Sequence, residues 1–332
     1  MRVLVTGGAG YIGSHTAKEL LNRNDEVVIF DNFSSGREEL IIGGQVVRGD
    51  LRSVENIRQV FKAHQPEAVM HFASLIQVAE SYAQPAKYYN HNLRTTLNLL
   101  DCLLEFGVRY FIFSSSAAVY GLPHKTPIPE DHPLDPINPY GATKSMVERM
   151  LQDYDRAYGL KYTSLRYFNA AGADPEGRLG ECHQPETHLI PNLLLYFLGE
   201  KDDFMVYGHD FPTPDGTAIR DYIHVTDLAR AHVLALDWLV KEKSSEIFNL
   251  GTNRGYSVLE VIKGAEQVTG LTRPIQFGPR REGDVPVLLA ASQKAEKYLG
   301  WKREYSDLKT IIETAWRWHQ RRQKSGGRSA GC

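Results

Sequence analysis

Short apolar runs alternate with longer amphipathic stretches through the first half of the chain. The apolar runs RVLVTG, EVVIFD, GQVVRGD, EAVMHFA, RYFIFSSS and KYTSLRYFN predict six strands. Helical periodicity predicts helices over 11–22, 53–63, 85–105 and 139–158. Apolar strands that alternate with helices are typical of a parallel sheet covered on both faces. The pattern therefore predicts an α/β fold with a doubly wound sheet.

The pattern changes after Asn169. Gly, Pro and acidic residues fill the stretch GADPEGRLGECHQPET, and short strands, helices and loops follow it. We predict a nucleotide-binding domain over 1–170, a smaller mixed α/β substrate domain over 171–322, and a flexible tail over 323–332. Segments near 220–250 are candidates to return to the first domain.

A glycine-rich turn, TGGAGYIG, follows the first predicted strand directly. Gly7, Gly10 and Gly13 allow a sharp turn, and the next helix offers free N–H groups to a diphosphate. Asp31 ends the second strand, where an acid can bind the two hydroxyls of an adenosine ribose. Since a carboxylate would repel a 2′-phosphate, the sequence predicts a Rossmann-type domain that prefers NAD to NADP.

Other strand ends point to the same sheet edge. Asp50 ends the third strand, and Phe72 and Ala73 end the fourth. Ligands of doubly wound sheets bind at the carboxyl ends of the strands. These residues are therefore candidates to line an adenine or phosphate site, with ordinary turn residues as the alternative.

The catalytic candidates lie on the fifth strand and the helix after it. The strand ends in a serine triplet that closes with Ser116, and Tyr140 and Lys144 follow four residues apart. This spacing places the phenol and the ammonium on one helix face. An ammonium lowers the pKa of a nearby phenol, which is otherwise about 10 and too high for a base at neutral pH. The pattern predicts Tyr140 as a base and Lys144 as the group that lowers its pKa.

Composition excludes several classes of partner. The chain has 332 residues and a net charge of -2, which gives no basic surplus for nucleic acid or anionic lipid. No apolar run is long enough to span a bilayer, and no signal-type segment opens the chain. The three cysteines predict neither a disulfide framework nor a zinc site. We expect a cytoplasmic protein with no metal.

Several blocks of the sequence together resemble one enzyme family. VTGGAGYIG, the serine-tyrosine-lysine set and RYFNAAG are similar to the extended short-chain dehydrogenases/reductases. FIFSSSAAVYG, NPYGATK, ETHLIP, DGTAIRDYIHV and PRREGD resemble, more narrowly, the UDP-glucose 4-epimerase family. The resemblance implies NAD-dependent inversion at C4 of a UDP-hexose through a 4-keto sugar. It also implies a homodimer, with helices near 85–106 and 139–158 as candidate interface elements.

The resemblance also assigns site residues. Ser116, Tyr140 and Lys144 would be catalytic, with Ser116 bound to the sugar 4-oxygen. NAD contacts would come from Gly7, Gly10, Tyr11, Ile12, Gly13, Asp31, Asn32, Ser35, Asp50, Leu51, Phe72, Ala73, Asn92, Tyr140, Lys144 and Phe168. UDP-sugar contacts would come from Ser116, Tyr140, Asn169, His188, Leu189, Tyr207, Arg220, Arg281, Asp284 and Leu288. From the residues alone, Arg220 and Arg281 are surface ion-pair residues.

Some positions depart from the family pattern. Ile76 stands where many members carry a lysine that reaches the cofactor phosphates, and Ala118 stands where threonine is usual. Family members with a large tyrosine at the position of Leu288 accept only UDP-glucose and UDP-galactose, whereas members with a smaller residue there also accept N-acetylated sugars. Leucine is intermediate in bulk between these two cases. The substrate range therefore stays open between UDP-glucose/UDP-galactose and UDP-GlcNAc/UDP-GalNAc.

Other functions on the same fold remain as alternatives. A 4,6-dehydratase needs a further acid and base after the strand-end hydroxyl, where this chain has Ala117 and Ala118. A UDP-pentose or UDP-uronate 4-epimerase is a closer alternative. A non-catalytic dinucleotide sensor would have no need of Tyr140 and Lys144.

Overall fold

The six apolar runs of the first half form strands, as their hydrophobic pattern predicted. The computed structural model describes residues 1–281 and 283–324. Strands β1 to β6 are Arg2–Thr6, Glu26–Asp31, Gln45–Arg48, Ala68–His71, Tyr110–Ser116 and Lys161–Tyr167. Helices α1 to α6 are Tyr11–Asn22, Val54–His64, Val78–Ala83, Pro85–Tyr88, Arg94–Glu105 and Pro139–Tyr158. Short 3₁₀ turns occur at Glu38–Leu40 and Ala117–Tyr120.

The second half has shorter strands and longer connections. Strands β7 to β14 are Asn169–Ala171, Met205–Tyr207, Ile219–Arg220, Tyr222–His224, Glu246–Leu250, Tyr256–Ser257, Gln276–Gly278 and Val287–Leu288. Helices α7 to α11 are Leu189–Phe197, Val225–Glu242, Val258–Thr269, Gln293–Leu299 and Leu308–Lys324.

The main sheet is parallel throughout the described residues. Its seven strands lie in the order β11-β6-β5-β4-β1-β2-β3, so the order reverses between β1 and β4. The carboxyl ends of β1 and β4 therefore flank the crevice in which doubly wound sheets bind nucleotides. This topology confirms the predicted Rossmann-type α/β fold.

Two apolar cores cover the faces of the sheet. One joins Leu20 of α1 to Leu228, Leu236 and Leu239 of α8. The other packs α2, α5 and α6 against the opposite face and contains Phe61, Leu103 and Leu151. Cys102 is fully buried in this second core. The two layers of helices exclude water from both faces, which explains why the strands are apolar at consecutive positions.

The region 220–250 contributes both α8 and the edge strand β11. Phe248 of β11 pairs with Leu165 of β6, in the same parallel direction as the rest of the sheet. The second half also has its own apolar core, in which Leu193, Val261 and Ile312 are fully buried or nearly so. The division at residue 170 nevertheless stays a prediction.

The predicted helix over 85–105 differs from the structure in its middle. A π-helical turn at Tyr89–Leu93 separates α4 from α5 and lets Asn92 point into the protein. Such wide turns are frequent at functional sites, and a hydrophobic pattern does not reveal them. At the other end of the chain, α11 still includes Gln323 and Lys324, and the rest of the predicted tail lies outside the described residues. None of the described helices is long and apolar enough to cross a bilayer.

Candidate active site

The glycine turn after β1 is held tightly against the end of β4. Gly7 has φ of +71°, which favours glycine, and a Cβ there would lie 2.5 Å from the backbone nitrogen of Ala73. A Cβ at Gly13 would collide with the carbonyl oxygen of Gly7. The turn therefore requires glycine at both positions, and it fixes where α1 begins.

The first turn of α1 has free hydrogen-bond donors. Gly10 is its N-cap and supplies no side-chain acceptor, and the first turn contains no acidic residue. Ile12 packs against the core below, so the backbone N–H groups are what this turn presents to the crevice. Backbone N–H groups and the positive end of the helix dipole suit a diphosphate. This part of the site fits a dinucleotide.

Asp31 is preorganised by the backbone around it. Its two carboxylate oxygens accept hydrogen bonds from the backbone N–H of Ala9 at 3.0 Å and of Phe33 at 2.8 Å. Burial raises the pKa of Asp31, while these N–H groups act in the opposite direction. Each carboxylate oxygen keeps a further lone pair for a ribose hydroxyl. Ser35 lies exposed on the loop that follows.

Other predicted cofactor residues surround the same crevice. Asn32 donates to Asp50 at 3.1 Å, and a hydrogen bond from Arg52 holds the pKa of Asp50 well below its usual range. Leu51 is buried in the core beneath them. Phe72 lies at the end of β4, with its ring centre 4.9 Å from that of His232.

The side chain of Asn92 forms hydrogen bonds with two other parts of the protein. Its side-chain oxygen accepts from the backbone N–H of Leu75 at 2.9 Å. Its side-chain nitrogen donates to the carbonyl of Leu75 and to the hydroxyl of Thr143, each at 3.1 Å. Asn92 therefore joins the loop after β4 to the helix that carries Tyr140. A direct contact from Asn92 to NAD stays a prediction.

Tyr140 is positioned by the start of α6. Asn138 caps the helix by accepting from the backbone N–H of Gly141 at 2.8 Å, and Pro139 occupies the first turn. The phenol of Tyr140 is buried and hydrogen bonds to Ser116 at the end of β5. Lys144 lies one turn further, where its ammonium donates to the carbonyl of Ser114 at 2.8 Å. The three predicted catalytic residues thus lie together at the carboxyl edge of the sheet.

Burial is the largest influence on the pKa values of Tyr140 and Lys144. Burial raises the pKa of Tyr140, and the hydrogen bond with Ser116 acts in the opposite direction. The Lys144 ammonium lies 5.8 Å from the centre of the Tyr140 ring. Burial also lowers the pKa of Lys144 to about 7, against a smaller opposing effect of Glu148. In the protein alone, Lys144 is therefore a weaker source of positive charge than we expected.

A buried ionic network supports the catalytic edge, and the sequence did not reveal it. Glu148 and Arg166 form an ion pair at 2.5 Å with both side chains almost fully buried. Ser115 donates to Glu148 at 2.6 Å, and Arg166 donates to the hydroxyl of Tyr120 at 2.9 Å. Glu148 lies four residues after Lys144, so the sequence places these two side chains on one helix face but gives no signal for the contact with Arg166. The network joins α6 to β5 and β6 directly beneath the catalytic residues.

Four of the residues predicted to bind UDP lie close together in the structure, although they are far apart in sequence. Arg281 binds Asp284 at 3.0 Å, and Arg220 lies 3.8 Å from the same carboxylate. Arg220 also donates to the carbonyl of Val285 at 2.6 Å. The guanidinium of Arg281 stands 5.2 Å from the ring centre of Tyr207. Two guanidinium groups beside an aromatic ring suit a nucleoside diphosphate.

Leu288 and Asn169, which are also predicted substrate residues, lie on elements that adjoin the Arg220 strand or the residue after it. Leu288 pairs with Arg220 in parallel strands, and Leu288 and Phe168 pack against the same cluster that contains Ala117. Asn169 donates to the carbonyl of Asp221 at 3.0 Å. These contacts place Leu288 next to the catalytic strand end.

Two further predicted residues begin α7. His188 is the N-cap of that helix, and Leu189 is its first residue. The side chain of His188 is about half exposed, and its Nδ1 lies 2.5 Å from Glu181. The positive end of α7 and the imidazole of His188 thus lie together at the start of this helix.

Comparison with known proteins agrees with this geometry. Residues 3–251 match the model of the NAD dependent epimerase/dehydratase family. The chain belongs to this family. It is 46% identical to UDP-glucose 4-epimerase of Lactobacillus helveticus over 325 residues, which cover 98% of each chain.

Solved structures of UDP-glucose 4-epimerases are also similar to this chain. The structure of UDP-glucose 4-epimerase from Brucella ovis in complex with NAD has a TM-score of 0.92 and 49% identity, over 95% of this chain and 97% of that one. The enzyme from Bifidobacterium longum in complex with NAD+ and UDP has a TM-score of 0.93 and 40% identity, over 97% of this chain and 99% of that one. Fold and predicted family are both confirmed.

Proposed function

We propose that this chain catalyses the reversible, NAD-dependent inversion of C4 between UDP-glucose and UDP-galactose. One observation carries the proposal: Ser116, Tyr140 and Lys144 converge at the sheet edge that also holds the glycine turn. Similarity to UDP-glucose 4-epimerases along nearly the whole chain supports the same function.

The reaction needs a base, a hydride acceptor and a rotating intermediate. Bound NAD supplies the chemistry of accepting the C4 hydride and returning it. Tyr140, as phenolate, removes the proton of the 4-hydroxyl and later gives it back. Ser116 hydrogen bonds to the 4-oxygen and so holds it within reach of Tyr140. The 4-keto sugar turns about its link to UDP, so the hydride returns to the opposite face.

The phenolate must be stabilised in the loaded enzyme. An unperturbed phenol with a pKa of about 10 is only about 0.1% ionised at pH 7, and burial here raises the pKa of Tyr140 further. Lys144 is the adjacent cationic group, and its protonated form favours the phenolate. We therefore assign Lys144 the roles of binding the nicotinamide ribose and of lowering the pKa of Tyr140 when the ligands are present.

The UDP-sugar is held mainly by charge and by planar contacts. Arg220 and Arg281 bind the diphosphate, and Tyr207 packs beside it. Asp284 keeps both guanidinium groups in place. Asn169 of β7 completes the sugar and phosphate contacts, together with His188 and Leu189 at the start of α7.

Leu288 sets the substrate range in this proposal. It packs close to Phe168 at the sugar end of the site. A leucine leaves more room than the tyrosine expected of a strict UDP-glucose/UDP-galactose enzyme. We propose that UDP-GlcNAc and UDP-GalNAc are also accepted, with lower efficiency.

The chain acts as a cytoplasmic homodimer in this proposal. Four large hydrophobic residues are exposed here: Leu97 on α5, Phe106 directly after α5, and Met146 and Tyr158 on α6. Exposed apolar side chains on two neighbouring helices suit an interface between identical subunits. Replacing Leu97 and Met146 by glutamate should convert the dimer to a monomer in analytical ultracentrifugation, and an unchanged dimer would contradict this interface.

The experiment for the proposed function uses purified protein, UDP-galactose and no added NAD. The UDP-sugars are then separated and quantified. UDP-glucose as the product supports the proposal and shows that NAD is retained. Product only on addition of NAD indicates weak retention, which Ile76 would explain. No product in either case, with turnover of a UDP-pentose or UDP-uronate instead, would favour the closest alternative.

A further inference from the structure

Four potential metal ligands cluster in the loop before α7. Glu181, His183, Glu186 and His188 each offer one donor atom, and these atoms all lie within 4.8 Å of one another. The side chains of Glu181 and Glu186 are only 5% and 6% exposed. The proposed epimerisation needs neither carboxylate, so their burial calls for another explanation.

The donor atoms have the separations of a small coordination polyhedron. Nδ1 of His188 lies 2.5 Å from Glu181 and 3.4 Å from Glu186. Nδ1 of His183 lies 3.1 Å from Glu181 and 3.7 Å from Glu186. Tetrahedral Zn²⁺ with bonds of about 2.0–2.2 Å needs donor atoms about 3.3–3.6 Å apart. To reach a tetrahedral arrangement, His188 and Glu181 would move apart by about 1 Å, whereas the other three separations would change by about half an ångström or less.

The surrounding chain holds this loop in place. Trp318 of α11 donates from Nε1 to the carbonyl of Glu181 at 2.9 Å. Glu186 accepts from the backbone N–H of Thr187 at 2.7 Å and of His188 at 2.9 Å. The loop is therefore preorganised, and a cation would not have to order it.

The charges of the cluster require compensation. Two carboxylates that share a buried site are stable only beside positive charge. Either both imidazoles carry an extra proton, or one divalent cation replaces those protons. Two nitrogen and two oxygen donors form a set that Zn²⁺ binds readily. Both Nδ1 atoms face the carboxylates, which is the orientation that coordination needs.

We propose that Glu181, His183, Glu186 and His188 form a structural site for Zn²⁺. The site lies between the two binding regions, since the ring of His183 stands 6.2 Å from that of Tyr11 at the glycine turn. His188 is the N-cap of α7, where we expect the UDP-sugar to bind. Zinc would thus fix the start of α7 relative to α1. That consequence for sugar binding rests on the proposed function, whereas the zinc site itself does not.

The test measures zinc rather than activity. Purified full-length protein is stripped with a chelator, reloaded with ZnCl₂, desalted and analysed by inductively coupled plasma mass spectrometry. We expect one tightly held zinc per chain and a higher melting temperature than for the stripped protein. His183→Gln and Glu181→Gln should each weaken zinc binding at least about tenfold, because even loss of an outer-shell contact costs 10–100-fold. Binding should also weaken as the pH falls, because protons compete for the donor atoms.

Controls separate a built site from surface binding and from misfolding. His64→Gln, at the end of α2 and outside the four-residue cluster, is the matched control and should leave the zinc content unchanged. Circular dichroism shows whether each variant folds. Co²⁺ in the unaltered protein gives a second measurement, since tetrahedral Co²⁺ has an intense visible spectrum that the hydrated ion lacks.

Two outcomes would overturn the proposal. Zinc content equal in the unaltered protein and in folded His183→Gln would show surface binding only. Absence of both zinc and a tetrahedral Co²⁺ spectrum would show that protons on the two imidazoles neutralise the carboxylates. In either case the UDP-galactose assay would be unaffected, so failure of the zinc site is distinguishable from failure of the epimerase proposal.

Discussion

Replacing Tyr140 by phenylalanine tests the assigned base most selectively. The ring of Tyr140 is buried with 8% of its surface exposed, and phenylalanine fills the same volume. The substitution removes one hydroxyl and its hydrogen bond with Ser116. Ser116 keeps a partner, because its hydroxyl oxygen also accepts from the backbone N–H of Ala118 at 3.2 Å. The structural damage is therefore confined to one hydrogen bond.

The effects on stability and on catalysis should differ greatly. Loss of one internal hydrogen bond costs about 0.5–1.5 kcal/mol of unfolding free energy. Loss of a general base costs about 10²–10⁴-fold in rate, or about 3–5.5 kcal/mol of barrier height. We expect kcat for UDP-galactose to fall by at least about 10²-fold, while KM and the amount of bound NAD change little.

Tyr154→Phe is the matched control. Tyr154 lies on the same helix, and its hydroxyl also makes one described hydrogen bond, to Asp101 at 3.1 Å. The control should keep the kcat of the unaltered enzyme. Equal losses in both variants would indicate general damage to α6. A Tyr140→Phe enzyme with more than a tenth of the original kcat would refute the assignment of Tyr140 as the base.

Three other substitutions test separate parts of the site. Glu148→Gln should lower the unfolding free energy by about 3–5 kcal/mol, because Arg166 stays charged and buried without its partner. Urea unfolding measures this loss, and an equal loss in the Glu148→Gln/Arg166→Gln double variant would contradict the electrostatic cause. Ile76→Lys should increase the affinity for NAD by about 1 kcal/mol, or about fivefold. The variant should then lose NAD more slowly on repeated gel filtration, and an unchanged loss would mean that residue 76 does not reach the phosphates. Leu288→Tyr should lower kcat/KM for UDP-GalNAc relative to UDP-galactose at least about tenfold, and an unchanged ratio would exclude Leu288 as the determinant of substrate range.

Local patterns predicted the first half of the fold well. The helix over 11–22 and the strand over 26–31 have the predicted bounds, because apolar periodicity and flanking glycines both mark them. The sequence marked segments near 220–250 as candidates to return to the first domain, but it named neither the strand at Phe248 nor the strand that it pairs with. The partner of Phe248, Leu165, is distant in sequence, and local propensity carries no information about such pairing. The π-helical turn at Asn92 was missed for a similar reason, since the loop it holds is also distant.

The sequence predicted that Ser116, Tyr140 and Lys144 lie together, but it did not predict how burial shifts the pKa values of Tyr140 and Lys144. The spacing of Tyr140 and Lys144 and the serine triplet are visible in the sequence. Burial, which raises the pKa of Tyr140 and lowers that of Lys144, depends on the surrounding tertiary structure. The ion pair of Glu148 with Arg166 likewise joins residues of different elements. The sequence identifies the candidate reacting groups, whereas the fold determines the charge that each carries.

The fate of the hydrogen at C4 tests the central claim most directly. UDP-galactose labelled with deuterium at C4 is incubated with the purified protein in ordinary water, without added NAD, and the product is analysed by mass spectrometry and NMR. The account predicts UDP-glucose that keeps the deuterium at C4, because the hydride leaves and returns within one site. UDP-glucose that carries solvent hydrogen at C4 would show that inversion proceeds by proton exchange, and it would contradict the account.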